Sequence, residues 1–463
     1  MECFSHGRTS HQFRFLRRQF LQDGKLPFTN VLTVETITHA LEKIDACWKD
    51  RIYTPLVTLW VFLGQVLSAD HSCRAAVARL IAHLVSLGDS PCCPETGAYC
   101  QARKRLPEAF FSTVACEVGR NLDSNIDAGW LWKGRRVYMF DGSTVSMPDT
   151  QENQREYPQV YNQKPGLGFP IARIAAIISL SCGAILSMGI CRYAGKGQGE
   201  VSLLRQMWDL FRIGDVLLTD CLLSAWVDLV MLKQRGVDSV TRLNKARRTA
   251  DFRRGKRLGK DDHIVQWPKP MKPRSIDSEI YRSLPDHLTV REIRVRVEQP
   301  GFRTRSVVVV TTLLDPDEFS VSDLATIYRE RWNNEIYFRT LKSGCRVEER
   351  QFETRSRIQN SLAVYTMVAW RVMYLCCLGR ECPDLNCEVV LTSSEWKSVY
   401  LVKHRRKPLP STPPRLNEMI RLIASLGGYV IRPKTHPGTQ TLWTGLQQTH
   451  FLAMAWDAFG PES

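Results

Sequence analysis

The sequence lacks several features that would have placed it quickly. Its fifteen cysteines follow no recurring pair spacing. Cys92-Cys93 and Cys376-Cys377 are adjacent, which does not suit a zinc ribbon, so reduced thiols in a cytosolic protein are the expectation. Arg8, Arg14, Arg17 and Arg18 precede no apolar core, so no secretory leader is expected. No internal repeat is evident. The glycine loop Gly195-Lys196-Gly197-Gln198-Gly199-Glu200 lacks the lysine-then-hydroxyl ending of a phosphate-cradling Walker loop and reads as a connector or a close approach to a nucleic-acid backbone. One apolar run, Ile174 to Ile190, is nearly long enough to span a bilayer. Ser179, Ser181, Cys182-Gly183 and Ser187 divide it, and two buried strands joined at Cys182-Gly183 fit better.

The chain has 463 residues, 44% of them hydrophobic, which predicts two or three globular domains. Its formal charge of +16 and isoelectric point near 9.3 favour a polyanionic partner. Nucleic acid is the better candidate, because no cationic amphipathic membrane helix stands out.

Residues 1–130 read as a helical domain, with helical periodicity over Asn30 to Lys49, Tyr53 to Leu67 and Ser72 to Gly88. Glu95 to Leu106 reads as a basic helix, equally suited to DNA phosphates and to a solvated surface. From Gly134 the pattern changes. Arg136 to Phe140 is a strand candidate ending on Asp141, followed by a Gly-Ser-Thr stretch. Gly214 to Asp220 is another strand, ending on Asp220. The order is strand, strand, strand, helix, strand, and Asp215 is a rival acid at the wrong end of the last strand. A lone carboxylate at a strand end is most often an Asx turn; two of them in this order resemble a ribonuclease-H-like fold.

Between Asp220 and the next long helix lie about a hundred residues. Arg242 to Arg274 is strongly basic, and Arg253 and Arg254 are phosphate-binding candidates. Trp267 is a candidate for stacking on a displaced base, with a packed indole as the competing reading. Leu288 to Glu298 and Arg303 to Leu314 alternate as strands around Pro300-Gly301, so the segment near 240–315 reads as a β-rich insertion. Ser361 to Leu378 reads as a buried helix on the central sheet, Lys403 to Pro414 as a basic, proline-rich linker, and Arg415 to Gly427 as an amphipathic helix. The tail from Arg432 reads as loop, with Trp443 and Trp456 in packing or protein contacts.

The organising stretch is Ser320 to Arg350, read as one long helix opened by a Ser320–Asp323 capping box. Tyr328, Arg331, Glu335 and Lys342 fall within a sector of about 60° on it. A solvated face with an Arg331–Glu335 pair accounts for part of this pattern. It leaves Tyr328 and Lys342 on the same sector unexplained.

This Tyr-x2-Arg-x3-Glu-x6-Lys spacing resembles the signature of the insertion-sequence 4 (IS4) family of DDE transposases, over about Gly134 to Lys342 and more weakly near Tyr99 to Pro107. The resemblance implies an α/β fold: a ribonuclease-H-like catalytic core (131–380) carrying the β-rich insertion, a helical DNA-binding N-terminal domain and a helical C-terminal region (381–463). It implies that Asp141, Asp220 and Glu335 are the catalytic, metal-binding carboxylates, holding two Mg2+ (or Mn2+) ions. Tyr328, Arg331 and Lys342 would position the DNA backbone, and the insertion would grip DNA ends. The implied activity is cleavage at terminal inverted repeats followed by strand transfer, by a homodimer on double-stranded DNA in the bacterial cytoplasm, with no membrane partner. Many relatives place arginine after the second aspartate; Cys221 stands there and puts a phosphate contact in doubt. A nuclease of the same fold without strand transfer, and a non-catalytic DNA-binding derivative, are the alternatives.

Overall fold

The computed structural model describes residues 34–44, 51–67, 70–86, 89–164, 166–221, 224–244, 248–296, 306–331, 337–344, 347–349, 353–405, 407–433 and 435–460. By contact the chain divides into two units, one of Asp123–Phe338 and one joining Met1–Leu122 to Arg339–Ser463.

The first unit is built on a sheet. Its elements in chain order are β1 (Val137–Ser146), β2 (Ile171–Ser179), β3 (Ile185–Arg192), a short helix Glu200–Gln206, β4 (Val216–Leu218), a helix Trp226–Gln234, β5 (Asp238–Arg242), β6 (Lys256–Gly259), β7 (Asp262–Pro268), a helix Ser278–Ser283, β8 (His287–Arg296), β9 (Ser306–Thr311) and the helix Val321–Glu330. The run Ile174 to Ile190 therefore contributes two antiparallel strands, as its interrupting serines and glycine predict. Strand order is β3-β2-β1-β4-β5-β9-β8-β7-β6 in a single nine-stranded sheet. The insertion is thus β-rich and continuous with the core: β9 pairs antiparallel with β5, and β8, β7 and β6 follow outward. Two of its strands, β6 and β7, lie in the basic stretch that showed no strand pattern.

Alternation along the strands sets the layers. Tyr138, Phe140, Ala175, Ile177 and Leu217 point to one face and pack under Leu203, Leu204 and Trp208. Met139 and Leu218 are buried on the opposite face. β1 is longer than expected: it runs through Asp141 to Ser146, because Ala176 and its neighbours on β2 pair it throughout.

The second unit is helical among its described residues. Its helices are Val34–Lys43, Pro55–Leu67, Cys73–Ser86, Gly97–Arg105, Glu108–Ser124 (whose last two residues fall in the sheet unit), Arg355–Glu381, Ser393–Lys403, Leu416–Leu426 and Thr439–Phe459. The basic helix Gly97–Arg105 buries Tyr99. It also turns Arg103 inward, onto the rings of Tyr99 and Phe62 and to Gln65. Lys104 and Arg105 stay exposed. The stretch Arg355–Arg380 is long and apolar enough to cross a membrane, and 94% of its apolar window is buried within the protein. It packs against helices Pro55–Leu67, Leu416–Leu426 and Thr439–Phe459.

The tail read as loop contains the 21-residue helix Thr439–Phe459. Its Leu442 and Trp443 are buried. Gly445 lets it approach helix Leu416–Leu426 so closely that a Cβ there would sit 2.0 Å from the Ile423 carbonyl oxygen. Thr, Gln and His at eight of its 21 positions mask its apolar stripe in sequence.

Candidate active site

Sheet register builds the site. β1 and β4 run parallel, with Val137 opposite Val216 and Met139 opposite Leu218. Carrying that register two residues further puts Asp220 level with Asp141. β4 and β5 are also parallel, Val216 opposite Asp238 and Leu218 opposite Val240, which brings Arg242 level with Asp220. Three polar side chains thus form one row across three adjacent parallel strands, past the end of β4, at the end of β5 and midway along β1, on the side where open α/β sheets place their chemistry. Neighbouring strands lie ~4.8 Å apart.

Helix Val321–Glu330 delivers the facing groups. Ser320 caps it through the expected box, its hydroxyl accepting from the Asp323 amide at 3.1 Å and its own amide donating to Asp323 at 3.0 Å. Lys133 adds an ion pair to Asp323 at 2.9 Å. Arg331 is the C-cap, and its Nη1 lies 3.7 Å from Asp141 Oδ2. Tyr328 is buried, with Arg331 Cζ 6.0 Å from its ring centroid. Of the stretch expected as one continuous helix, the structure describes an α-helix ending at Glu330, and a π-helical turn over Thr340–Gly344. Glu335 lies outside the described residues. Lys342 is half-buried on the π turn, in the helical unit.

Electrostatics mark Asp141. Burial pushes its carboxyl up to about 6; the Gly142 amide and Arg331 oppose the rise, while Asp220 and Glu200 add to it. Asp141 Oδ1 accepts from the Gly142 amide at 2.8 Å. Glu200, whose carboxyl burial also raises, packs on the β1 backbone beside the aspartate. A Cβ at Gly142 would lie 2.5 Å from the Glu200 Cδ, so the glycine after Asp141 makes room for this acid. Arg173 of β2 holds Glu200 at 2.9 Å. Asp215 is placed elsewhere, accepting from the Arg212 amide at 2.7 Å before β4 begins.

These carboxylates suit a hard divalent cation. Asp141 and Asp220 are oxygen donors set side by side, and their mutual repulsion is what a cation relieves. Among the described residues, no group of three His, Cys, Asp or Glu side chains is close enough to enclose an ion.

The insertion residues separate. Arg253 and Arg254 are exposed, at 89% and 81%, on the turn before β6, and both pair with Asp251. Trp267 is no stacking platform. It is 3% exposed in the core between β7, β8 and helix Trp226–Gln234. Its Nε1 donates to Glu292 Oε1 at 2.7 Å, and its carbonyl accepts from Trp226 Nε1. β7 alternation carries it inward with a hydrogen-bond partner, as buried indoles require. Trp267→Ala is therefore expected to destabilise the protein by about 3–5 kcal/mol in urea unfolding, with the salt dependence of DNA binding unchanged.

Sequence reasoning missed Glu200, Arg173 and Arg242 as site residues. Arg242 opens the basic stretch, and only sheet pairing separates it from the rest. Its Nη2 meets the Cys221 Sγ at 3.2 Å.

Comparison with known proteins agrees with this geometry. Residues 132–371 match the family described as the transposase DDE domain, and residues 367–457 the transposase Tn5 dimerisation domain. None of the curated proteins matches. The cryo-EM structure of a piggyBac transposase synaptic complex with hairpin DNA overlaps 86% of this chain and 84% of its own, at 10% identity and a TM-score of 0.40, a likeness too slight to argue from. With more than half of its length matched by the first family, the chain belongs to the DDE transposases of the IS4-like type and carries a Tn5-like dimerisation domain.

Proposed function

We propose that Asp141, Asp220 and Glu335 are the ligand set for two Mg2+ (or Mn2+) ions, and that the protein cleaves DNA at the terminal inverted repeats of its element and transfers the freed ends. DNA transposition and divalent-metal dependence follow from the family; the residues, the ion count and the inverted-repeat substrate are our reading. The carrying observation is the level placement of Asp141 and Asp220 on adjacent parallel strands with Arg331 reaching Asp141.

A bound metal pair would activate water and neutralise charge on the attacking and leaving oxygens. The chain's residues do the rest. Asp141 and Asp220, fixed by strand pairing, offer oxygens on one side of the site. Arg331, held beside the Tyr328 ring, presents a fork-shaped donor set suited to a DNA phosphate. Arg253 and Arg254 meet the backbone farther out. A homodimer brings two element ends together through the dimerisation domain, on the nucleoid of a bacterial cytoplasm.

The test uses end-labelled duplexes carrying the DNA that flanks the coding region, with Mg2+ and a supercoiled target. Wild type is expected to nick at the element end and to join it to the target, whereas Glu335→Gln does neither. Nicking without joining would establish the nuclease alternative, and full activity of Glu335→Gln would remove that residue from the site.

A further inference from the structure

We propose that Arg242, whose guanidinium lies beside residue 221, binds a DNA phosphate at the Asp220 end of the site. The inference rests on the reading of Asp141 and Asp220 as the chemical centre.

Three observations carry it. Cys221 follows Asp220, and a thiol cannot make the forked, charge-assisted contact that a guanidinium makes with phosphate. Arg242 comes from the next parallel strand, level with Asp220, and its Nη2 sits 3.2 Å from the Cys221 sulfur. The guanidinium therefore occupies the space beside residue 221, reached from β5 instead of from β4.

Its neighbours point the same way. Thr241 Oγ1 donates to the Asp220 carbonyl at 2.5 Å, tying the end of β5 to the end of β4. Arg331 and Tyr328 lie close enough to Arg242 to act on it electrostatically. Among the described residues no carboxylate lies within ion-pairing distance of Arg242, and the residue is exposed. Two guanidiniums, Arg331 facing Asp141 and Arg242 beside Asp220, thus flank the aspartate pair. Like charges set this close repel each other, and a polyanionic backbone lying between them removes that cost. The ligand is a phosphodiester of the DNA strand entering the site.

The experiment measures binding of the full-length protein to a labelled duplex ending at the element's cut site, by fluorescence anisotropy across a salt series without metal. Arg242→Gln is expected to weaken binding about tenfold and to flatten the slope of log K against log salt by about one phosphate contact. A duplex with methylphosphonates at the phosphates flanking the cut, already lacking the charge, is expected to bind wild type and variant alike. Moving the arginine to residue 221, in Cys221→Arg/Arg242→Gln, is expected to restore the slope. An unchanged slope for Arg242→Gln, with its melting temperature equal to wild type, overturns the proposal. So does a variant defect that persists on the methylphosphonate duplex. Wild type that cleaves the unmodified duplex with Mg2+ while Arg242→Gln binds it normally refutes this inference alone; wild type that never cleaves the unmodified duplex refutes the underlying reading.

Discussion

Asp141→Asn and Asp220→Asn are each expected to lower strand cleavage by about 10^4-fold, with the double variant no worse than either single one. Groups that hold one reacting centre act as a unit, so removing either empties the site of function. Binding of end DNA without metal should survive, since the flanking arginines remain. The metal-free protein gives a second readout. Burial and neighbouring acids raise the Asp141 carboxyl from its usual 3.8 to about 6. The folded protein therefore holds a proton that the unfolded chain releases at lower pH. Stability should be greatest below about pH 4 in this respect and fall as pH rises through 6, by on the order of 3 kcal/mol. Asp141→Asn removes that penalty, so at pH 8 without metal it should unfold at higher urea than wild type. Titration calorimetry with Mn2+ should show affinity falling as pH drops below 6 in wild type, because a proton must leave first. A variant that loses cleavage without gaining metal-free stability would show that Asp141 is not strained as the geometry requires.

The sequence carried the two aspartates for a local reason: each ends or interrupts a short apolar strand, and resemblance to a family orders them. Ser320 and Asp323 were legible as a cap because the box is made of neighbours three residues apart. Arg242 and Glu200 were not legible, because their importance comes from pairing between strands far apart in the chain. Glu200 matters only because Gly142 opposite it has no side chain. For Trp267 the sequence leaves stacking and packing both open for the same reason: its partner Glu292 lies on another strand, and only the β7 alternation decides for the packed indole. The helix Thr439–Phe459 escaped notice because four of the six buried positions among its described residues are small or polar: Gly445, Gln447, Thr449 and Ala453.

Asp262→Ala should destabilise the protein by about 3–5 kcal/mol. Arg291 of β8 is almost wholly buried and takes Asp262 of β7 in a bidentate pair, at 2.8 and 2.6 Å. Removing the acid strands a desolvated guanidinium. Removing both charges, as Asp262→Leu/Arg291→Met, should recover most of the loss, because a well-packed apolar pair avoids the desolvation cost. The effect should also reach the active site. Arg291 Nη1 donates to the Phe319 carbonyl at 2.6 Å, the residue before the Ser320 cap of the helix that carries Tyr328 and Arg331. The inserted strands therefore anchor the start of the helix that faces Asp141. If so, the double variant should regain stability yet cleave more slowly than wild type, since methionine cannot hold the Phe319 carbonyl. Equal cleavage by the double variant and wild type would sever that link and leave the insertion a DNA-holding element only.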